Sequence, residues 1–287
     1  MADAVDSAGG RTLDDATGSP SSRQLRYAVL VTHARTVRWH ELCLGALLEV
    51  EGARPCLLIR GNKIGIPNQP RYSRGGKLWR LLMRIENRFR PAQAWQPRPL
   101  PAEIAALPKL DCALERQGAW AYRFSEADVA AIQSRELDFI IAFLGYDILR
   151  GAILGAARYG IWSYHMADPT HYRGAPPGVW EIHDSAPTTG VVLQRLTERL
   201  DSGVILREGH FPTLGWSINR NTDNLYFQTA GFAAETCRDL LAGNCARLEA
   251  PPLQTSAEIR RAPDSRQALR LAVLLLRNSL LRLPRGR

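Results

Sequence analysis

The amino-acid sequence predicts an α/β fold: a Rossmann-like open, mostly parallel sheet with helices on both faces, followed by a helical C-terminal extension. The first observation is an alternation near the start, where an apolar run at Leu25–Thr32, a helically spaced segment from Arg38 and a second apolar run from Arg54 follow one another. Strand, helix and strand in that order imply a right-handed parallel crossover. The second observation is the continuous apolar run Asp138–Tyr146, which is typical of a strand buried on both faces.

Three segments are predicted along the 287 residues. Residues 1–24 contain Ser, Gly, Ala, Thr and Asp with almost no large apolar side chain, so we expect a disordered tail that cannot offset the entropy of ordering. Residues 25–215 form the predicted α/β domain, and the 45% hydrophobic content is enough to bury a substantial core. Residues 216–287 form the predicted C-terminal extension, because helical spacing returns after Asn221.

The remaining elements of the predicted domain follow from local patterns. Ser125 and Asp128 suit the start of a helix, and a further helix is predicted over 147–160. The aromatic run Ile161–His165 is predicted as the next strand. Two strand-like runs separated by a short polar turn follow, at 188–197 and 202–211.

Composition limits the classes of partner and compartment. The chain has 37 Lys and Arg against 28 Asp and Glu, an excess that favours an anionic partner such as a nucleotide, a phospholipid surface or nucleic acid. Charge alone does not choose among these. The sequence has no long apolar run and no secretory signal at its start, and its five cysteines are scattered. We therefore expect a cytoplasmic protein with no disulfide framework and no metal site.

The turn after the first predicted strand bears on nucleotide cofactors. It reads THARTVRWH and contains neither G-x-G-x-x-G nor G-x-x-x-x-G-K-[ST]. Those glycine patterns let the backbone approach a pyrophosphate or a triphosphate. We therefore expect neither NAD nor ATP at this turn.

Two basic, apolar segments are predicted as helices. Arg74–Arg90 has six basic residues and one acidic residue. Its apolar side chains share one helical face, and they are Leu78, Leu81, Leu82, Ile85 and Phe89. Such a stripe predicts a surface helix that packs on the sheet, while contact with anionic lipid or with a phosphorylated substrate is the alternative. The C-terminal segment Ser265–Leu283 has the same character; we expect it to dock on the body, with membrane-surface contact left open.

Three polar residues form the candidate catalytic group. Ser163 and His165 are two apart on a predicted strand, so both face one side at the carboxyl edge where open α/β sheets bind ligands. A histidine there can accept a proton near neutral pH; the alternative is a hydrogen-bonded structural histidine. Asp201 lies in a turn before Gly203, where its carboxylate can orient an imidazole or cap its own turn.

The order of these pieces resembles a known family. GIWSYHMADPTHYRGAPPGVWE at 160–181, followed by TGVVLQRLTERLDSGVIL at 189–206, resembles the folate-dependent formyltransferases. That family includes methionyl-tRNA formyltransferase, glycinamide ribonucleotide transformylase and the sugar N-formyltransferases. The resemblance is strongest from Asp138 to Phe211. It implies an enzyme that transfers a formyl group from 10-formyltetrahydrofolate, the formyl donor, to a primary amine.

The resemblance also implies roles for individual residues. His165 and Asp201 match the family's catalytic histidine and aspartate, while Arg173 and Gly174 lie in the loop beside the acceptor. The loop that lines the pterin pocket corresponds to Ala142, Phe143, Leu144, Gly145, Tyr146 and Ile148. The third catalytic candidate, Ser163, stands where the family has Asn, whose N–H is expected to donate to the developing oxyanion. This departure implies a slower enzyme, a differently completed oxyanion site, or a relative that binds without transferring.

The acceptor is expected to be a small amine, with an amino sugar on a nucleotide or lipid phosphate preferred. The basic segment Arg74–Arg90 could attract its phosphate. A nucleic-acid acceptor is not expected, since the stretch after Phe211 reads as helical and not as the β-barrel that a tRNA formyltransferase would carry. Two alternatives stay open: a formyltetrahydrofolate hydrolase and a non-catalytic binding relative. The tail is too short for the regulatory domain expected ahead of such a hydrolase, and the sequence does not predict an oligomeric state.

Overall fold

The structure is a computed structural model that describes residues 24–32, 36–63, 75–118, 121–144 and 148–282. The predicted tail, apart from Gln24, lies outside the described residues. The strands are β1 (Leu25–Val31), β2 (Ala53–Lys63), β3 (Lys109–Gln117), β4 (Ala121–Arg123), β5 (Phe139–Phe143), β6 (Ile148–Leu149), β7 (Ile161–His165), β8 (Arg173–Gly174), β9 (Thr188–Arg195), β10 (Val204–Pro212) and β11 (Ile259–Arg260). The helices are α1 (Arg38–Leu48), α2 (Lys77–Phe89), α3 (Ala102–Ala105), α4 (Glu126–Gln133), α5 (Val179–His183), α6 (Ile218–Gln228), α7 (Phe232–Leu241), α8 (Ala246–Glu249) and α9 (Ser265–Arg282).

Nine strands form one mostly parallel sheet in the order β10-β9-β7-β5-β1-β2-β3-β4-β6. The five strands from β7 to β3 run parallel, whereas β9 is antiparallel to β7 and β4 is antiparallel to β3. Because β5, β1 and β7 are parallel neighbours, their carboxyl ends share one edge of the sheet. This confirms the predicted Rossmann-like α/β fold.

Alternating side chains of β1 enter two apolar layers, one on each face of the sheet. Tyr27 and Val29 pack with residues of α1, α6 and α7. Ala28 and Leu30 pack with residues of α4 and the short 3₁₀ helix Ala152–Gly155. Helices therefore cover both faces, and this explains why the central strands are apolar throughout.

The helix predicted over 147–160 is wrong. Ile148–Leu149 instead pairs with β4, and the following residues form only the 3₁₀ helix Ala152–Gly155. Gly151 has a φ of 83° and Gly160 a φ of 68°, so the backbone leaves the right-handed helical region near both ends of the segment. Gly155 further lowers helix propensity between them.

The predicted packing face of α2 is correct only in part. Leu78 and Leu82 pack against a buried apolar cluster, whereas Leu81 and Ile85 are exposed. The helix buries Trp79, Met83 and Glu86. Glu86 is accepted in the interior because its carboxylate receives hydrogen bonds, among them 2.8 Å from Ser217 Oγ. The buried side of α2 packs in a separate cluster with α5, α6 and α9, and not on the sheet.

The segment after β10 contributes to the same interior as the sheet. Leu225 and Tyr226 of α6 and Cys237 of α7 belong to the apolar cluster that contains β1. Besides helices, this segment supplies β11, which pairs in parallel with β8. The boundary at 215/216 stays a prediction.

No helix in the described part of the chain is long and apolar enough to cross a membrane.

Candidate functional site

Strand β7 carries the candidate residues to the carboxyl edge of the sheet. Trp162 of β7 packs into the apolar cluster with α1, whereas Ile161 packs into the cluster on the other face. By the same alternation Ser163 and His165 lie on the side of Ile161. β7 is flanked by β5 and β9, so both candidates stand in the interior of the sheet, next to the carboxyl end of β5.

His165 and Asp201 form an ion-pair contact across this edge. Asp201 lies in the turn between β9 and β10, and its Oδ1 is 3.3 Å from Nδ1 of His165. The two side chains are only 11% and 9% exposed. A carboxylate at this distance orients the ring and favours a proton on Nδ1. Within the described residues, Asp201 does not cap its own turn, contrary to the alternative considered for it.

The second nitrogen of His165 faces a backbone carbonyl. Nε2 lies 3.3 Å from the oxygen of Tyr172, a residue of the loop between β7 and α5. A neutral imidazole has one N–H and can donate to one of these two oxygens, whereas an imidazolium can donate to both. The arrangement can therefore hold a proton on either nitrogen, as proton transfer requires.

Gly174 connects the loop between β7 and α5 to Asp201. Its N–H donates to Asp201 Oδ2 at 3.2 Å, so the carboxylate is shared between Gly174 and His165. Gly174 has a φ of 87°, and a Cβ here would lie 2.2 Å from the backbone oxygen of Arg260. Only glycine fits this position without moving the backbone.

Arg173, predicted to bind the acceptor, makes contacts with the backbone. Its guanidinium donates to the carbonyl of Leu200 at 2.7 Å and to that of Ala257 at 3.1 Å. Since Leu200 directly precedes Asp201, these bonds position the turn that carries Asp201. The role of Arg173 in acceptor binding stays a prediction.

Sequence reasoning missed Arg260, which lies behind the acceptor loop. Its guanidinium stacks over the rings of Tyr172 at 5.2 Å and Trp180 at 5.0 Å, and it bonds Asp184 Oδ2 at 2.8 Å. β11, which contains Arg260, also pairs with β8. These contacts hold the loop whose carbonyl faces His165. No local pattern could have revealed them, because Arg260 lies far from the loop in sequence.

Ser163 is buried at 8% exposure beside His165. Within the described residues no hydrogen bond engages its hydroxyl. Its strand partner is Gln194, whose Oε1 accepts from the N–H of Gly203 at 3.2 Å in the turn after Asp201. The hydroxyl is therefore a donor on the same side as the imidazole, as the strand alternation predicts.

The predicted pterin loop is described in part. Ala142 and Phe143 end β5, and Leu144 follows them in a buried position. Ile141 of β5 pairs with Trp162 of β7. If this register continues for three more residues, Ala142, Phe143 and Leu144 lie alongside the segment from Ser163 to His165. Ile148 begins β6, at the far edge of the sheet order. Gly145 and Tyr146 lie outside the described residues.

Glu181 is a second buried acid near the loop. It lies on α5 at 1% exposure, and its Oε1 has no hydrogen-bond partner within the described residues. Burial raises the pKa of this carboxyl from 4.5 to about 7, against a smaller opposing effect of Arg260. Sequence reasoning assigned it no role. In the described ranges, no group of three or more His, Cys, Asp or Glu side chains could hold a metal ion.

Comparison with known proteins identifies the relationship. One stretch is 33% identical over 84 residues to the methionyl-tRNA formyltransferase of Prochlorococcus marinus, which is 29% of this chain and 25% of that protein. Another comparison gives 29% identity over 133 residues with the methionyl-tRNA formyltransferase of Parabacteroides distasonis, covering 45% of this chain and 39% of that protein. The chain is related to the folate-dependent formyltransferases. No protein-family model matches it.

The fold of this formyltransferase relative agrees with a solved structure. Phosphoribosylglycinamide formyltransferase from Anaplasma phagocytophilum superposes with a TM-score of 0.51 and 13% sequence identity. The superposition covers 77% of this chain and 89% of that protein. The sequence matches, in contrast, span only 25–39% of the length of the two methionyl-tRNA formyltransferases. What this formyltransferase relative acts on is therefore a matter for proposal.

Proposed function

We propose that the chain transfers a formyl group from 10-formyltetrahydrofolate to a primary amine of a small acceptor. The observation that carries the proposal is the 3.3 Å contact between His165 Nδ1 and Asp201 Oδ1. It pairs the two residues that match the family's catalytic histidine and aspartate. The pair lies at the carboxyl edge of a mostly parallel sheet, where ligands of α/β proteins bind.

His165 manages the proton. With Nδ1 directed to Asp201, Nε2 is the nitrogen that meets the substrate. It takes the proton that the acceptor amine loses and can return it to the nitrogen that the formyl group leaves. Because Nε2 lies 3.3 Å from the Tyr172 carbonyl, a bound acceptor has to replace or share this contact.

Ser163 supplies a hydrogen-bond donor beside the imidazole. A carbonyl oxygen that gains negative charge during transfer is stabilised by donors directed at it. The Ser163 hydroxyl lies on the same side of β7 as His165 and, within the described residues, is not engaged elsewhere. A serine is shorter than the asparagine of the family, so the oxyanion has to bind closer to β7.

The described residues fit a folate donor. When bound, 10-formyltetrahydrofolate supplies the formyl group as an electrophilic carbonyl carbon. Ala142, Phe143 and Leu144 would hold the pterin through their backbone groups at the end of β5, next to β7. The Ser163 hydroxyl and the His165–Asp201 pair then face the same edge, as formyl transfer requires.

For the acceptor we propose an amino sugar carried on a nucleotide or lipid phosphate. The excess of basic residues, a net charge of +9, favours a phosphate-bearing molecule.

An acceptor screen tests this proposal. The protein is incubated with 10-formyltetrahydrofolate and amino-sugar nucleotides, while tetrahydrofolate release and the formylated product are measured by absorbance and mass spectrometry. The matched control is the same sugar nucleotide with a hydroxyl in place of the amine, and methionyl-tRNA is a further arm. We expect release that depends on the amine. Equal release of tetrahydrofolate without any amine would indicate a hydrolase. Folate binding without release would indicate a non-catalytic relative. The absence of folate binding would contradict the proposal.

A further inference from the structure

Helix α9 exposes a continuous apolar stripe. Leu269, Val273, Leu276 and Leu280 are 58%, 59%, 63% and 59% exposed. Their spacing of four, three and four residues places them on one helical face. The opposite face, which includes Leu271, is buried against the body. Single exposed apolar residues are ordinary, but a row that extends over three turns marks an interaction surface.

Helix α2, which packs against α9, carries a second exposed stripe. Leu81, Ile85 and Phe89 are 47%, 48% and 75% exposed and lie one turn apart. The two helices begin side by side, since the Gly76 N–H donates to the Pro263 carbonyl at 3.0 Å. They also pack through one apolar cluster. The stripes therefore belong to one pair of packed helices.

The charge around these stripes has one sign. The exposed charged residues of the two helices are Lys77, Arg80, Arg84, Arg88, Arg266, Arg270, Arg277 and Arg282. The only acidic residue in 77–89 is Glu86, which is 3% exposed and bound to Arg90 and Ser217. Residues 265–282 contain no acidic residue. The surface that we call the α2–α9 face, the exposed side of these two helices, is thus apolar and basic.

This combination points to one class of partner. Apolar rows bordered by Lys and Arg are the pattern of helices that lie in the interface of an anionic bilayer. A second copy of the chain would bring two basic faces together, which like-charge repulsion opposes. Nucleic acid would use the cations but leave the apolar rows exposed to water. We propose that the α2–α9 face docks on an anionic phospholipid surface.

Vesicle flotation with the full chain tests this docking. One set of vesicles is phosphatidylcholine alone, and the other contains phosphatidylcholine with phosphatidylglycerol. We expect about tenfold or greater enrichment on the anionic vesicles. The double variant Val273→Asp with Leu276→Asp should abolish it, and Arg266→Gln with Arg277→Gln should weaken it. Leu42→Asp, on α1 at 38% exposure, is the matched control and should bind like the wild type.

Thermal melting of each variant shows whether the substitutions leave the fold intact. Absence of the folded wild type from anionic vesicles, equal binding to neutral vesicles, or unchanged binding of the Val273→Asp, Leu276→Asp variant would each overturn the proposal. If the wild type binds no vesicles but self-associates, and this double variant abolishes the self-association, the face would instead bind a second copy of the chain. The test needs no formyl donor, so its outcome is independent of the proposed transfer reaction.

Discussion

Asp201 faces His165 from an uncommon backbone conformation, with a φ of 49° and 3.3 Å between the carboxylate and the imidazole. Non-glycine residues enter the left-handed region rarely, although Asp and Asn tolerate it better than others. The conformation is held by partners: Gly174 donates to the carboxylate, and Arg173 bonds the preceding carbonyl of Leu200. Strain that the surroundings maintain in this way is characteristic of functional sites.

Asp201→Asn should remove the negative charge of this side chain and keep its shape. Asparagine tolerates the same backbone conformation and can still accept from Gly174, but it removes the negative charge beside His165. We expect the rate of formyl transfer to fall about 100- to 10,000-fold with a nearly unchanged melting temperature. Steady-state kinetics and calorimetry measure the two quantities. An unchanged rate in the folded variant would exclude Asp201 from the mechanism.

Substitutions at Ser163 test the oxyanion donor. If the hydroxyl donates to the developing charge, Ser163→Ala should lower kcat about 10- to 1000-fold with little change in KM. Ser163→Asn restores the family's residue and should raise the rate. A rate that falls with Asn would show instead that this site is adapted to serine. Folate binding by fluorescence is the control for both variants.

Gly174→Ala should destabilise the protein and disturb the catalytic turn. The new Cβ would lie 2.2 Å from the Arg260 carbonyl, at a φ of 87°. The matched control is Gly243→Ala, because Gly243 has a φ of 84° and a Cβ added there would meet no neighbouring atom within 4 Å. The control substitution should lower the free energy of unfolding only by the backbone strain, about 1–2 kcal/mol. Urea unfolding should give a larger loss for Gly174→Ala; equal losses would mean that the loop shifts freely.

Glu181 should make stability depend on pH. Burial raises its pKa from 4.5 to about 7, so the folded state binds this proton more tightly than the unfolded state. The stabilisation is complete below pH 4.5 and is lost as pH rises through about 7. Glu181→Gln should remove up to about 3 kcal/mol of this dependence.

Urea unfolding of the wild type and of Glu181→Gln at pH 5 and pH 8 measures the effect of this carboxyl. The difference in unfolding free energy between the two proteins should change with pH. Glu103→Gln, at an exposed position of α3, is the control and should follow the wild type at both values. Parallel pH profiles for wild type and Glu181→Gln would show that the buried carboxyl does not titrate in this range.

The parts of the fold with strong periodicity were predictable from sequence. β1, α1, β5 and β9 lie within the predicted segments, and β10 extends one residue beyond its predicted run. α4 begins as predicted, with Ser125 Oγ accepting from the Asp128 N–H at 3.1 Å. β3 was not predicted, because Lys109–Gln117 has exposed polar residues at most positions and its pairing with β2 is a tertiary effect.

Where local patterns failed, competing packing explains the outcome. The apolar stripe of α2 looked like a buried face, but only its Leu78 and Leu82 pack against the cluster. The fully buried apolar side chains of the helix are Trp79 and Met83. In the site, His165 and Asp201 were found because the spacing and the resemblance both pointed to them. Arg260 and the Tyr172 carbonyl depend on β11 meeting β8, a long-range contact that leaves no local signal.

Single-turnover formyl transfer with His165→Ala tests whether this histidine transfers the proton during the reaction. Donor binding and melting temperature are measured alongside, and His171→Ala, at a side chain that is 72% exposed, serves as the matched control. We expect His165→Ala to lose at least about a hundredfold in rate while it still binds the folate donor, and His171→Ala to keep the wild-type rate. An undiminished rate in His165→Ala would contradict this role of His165.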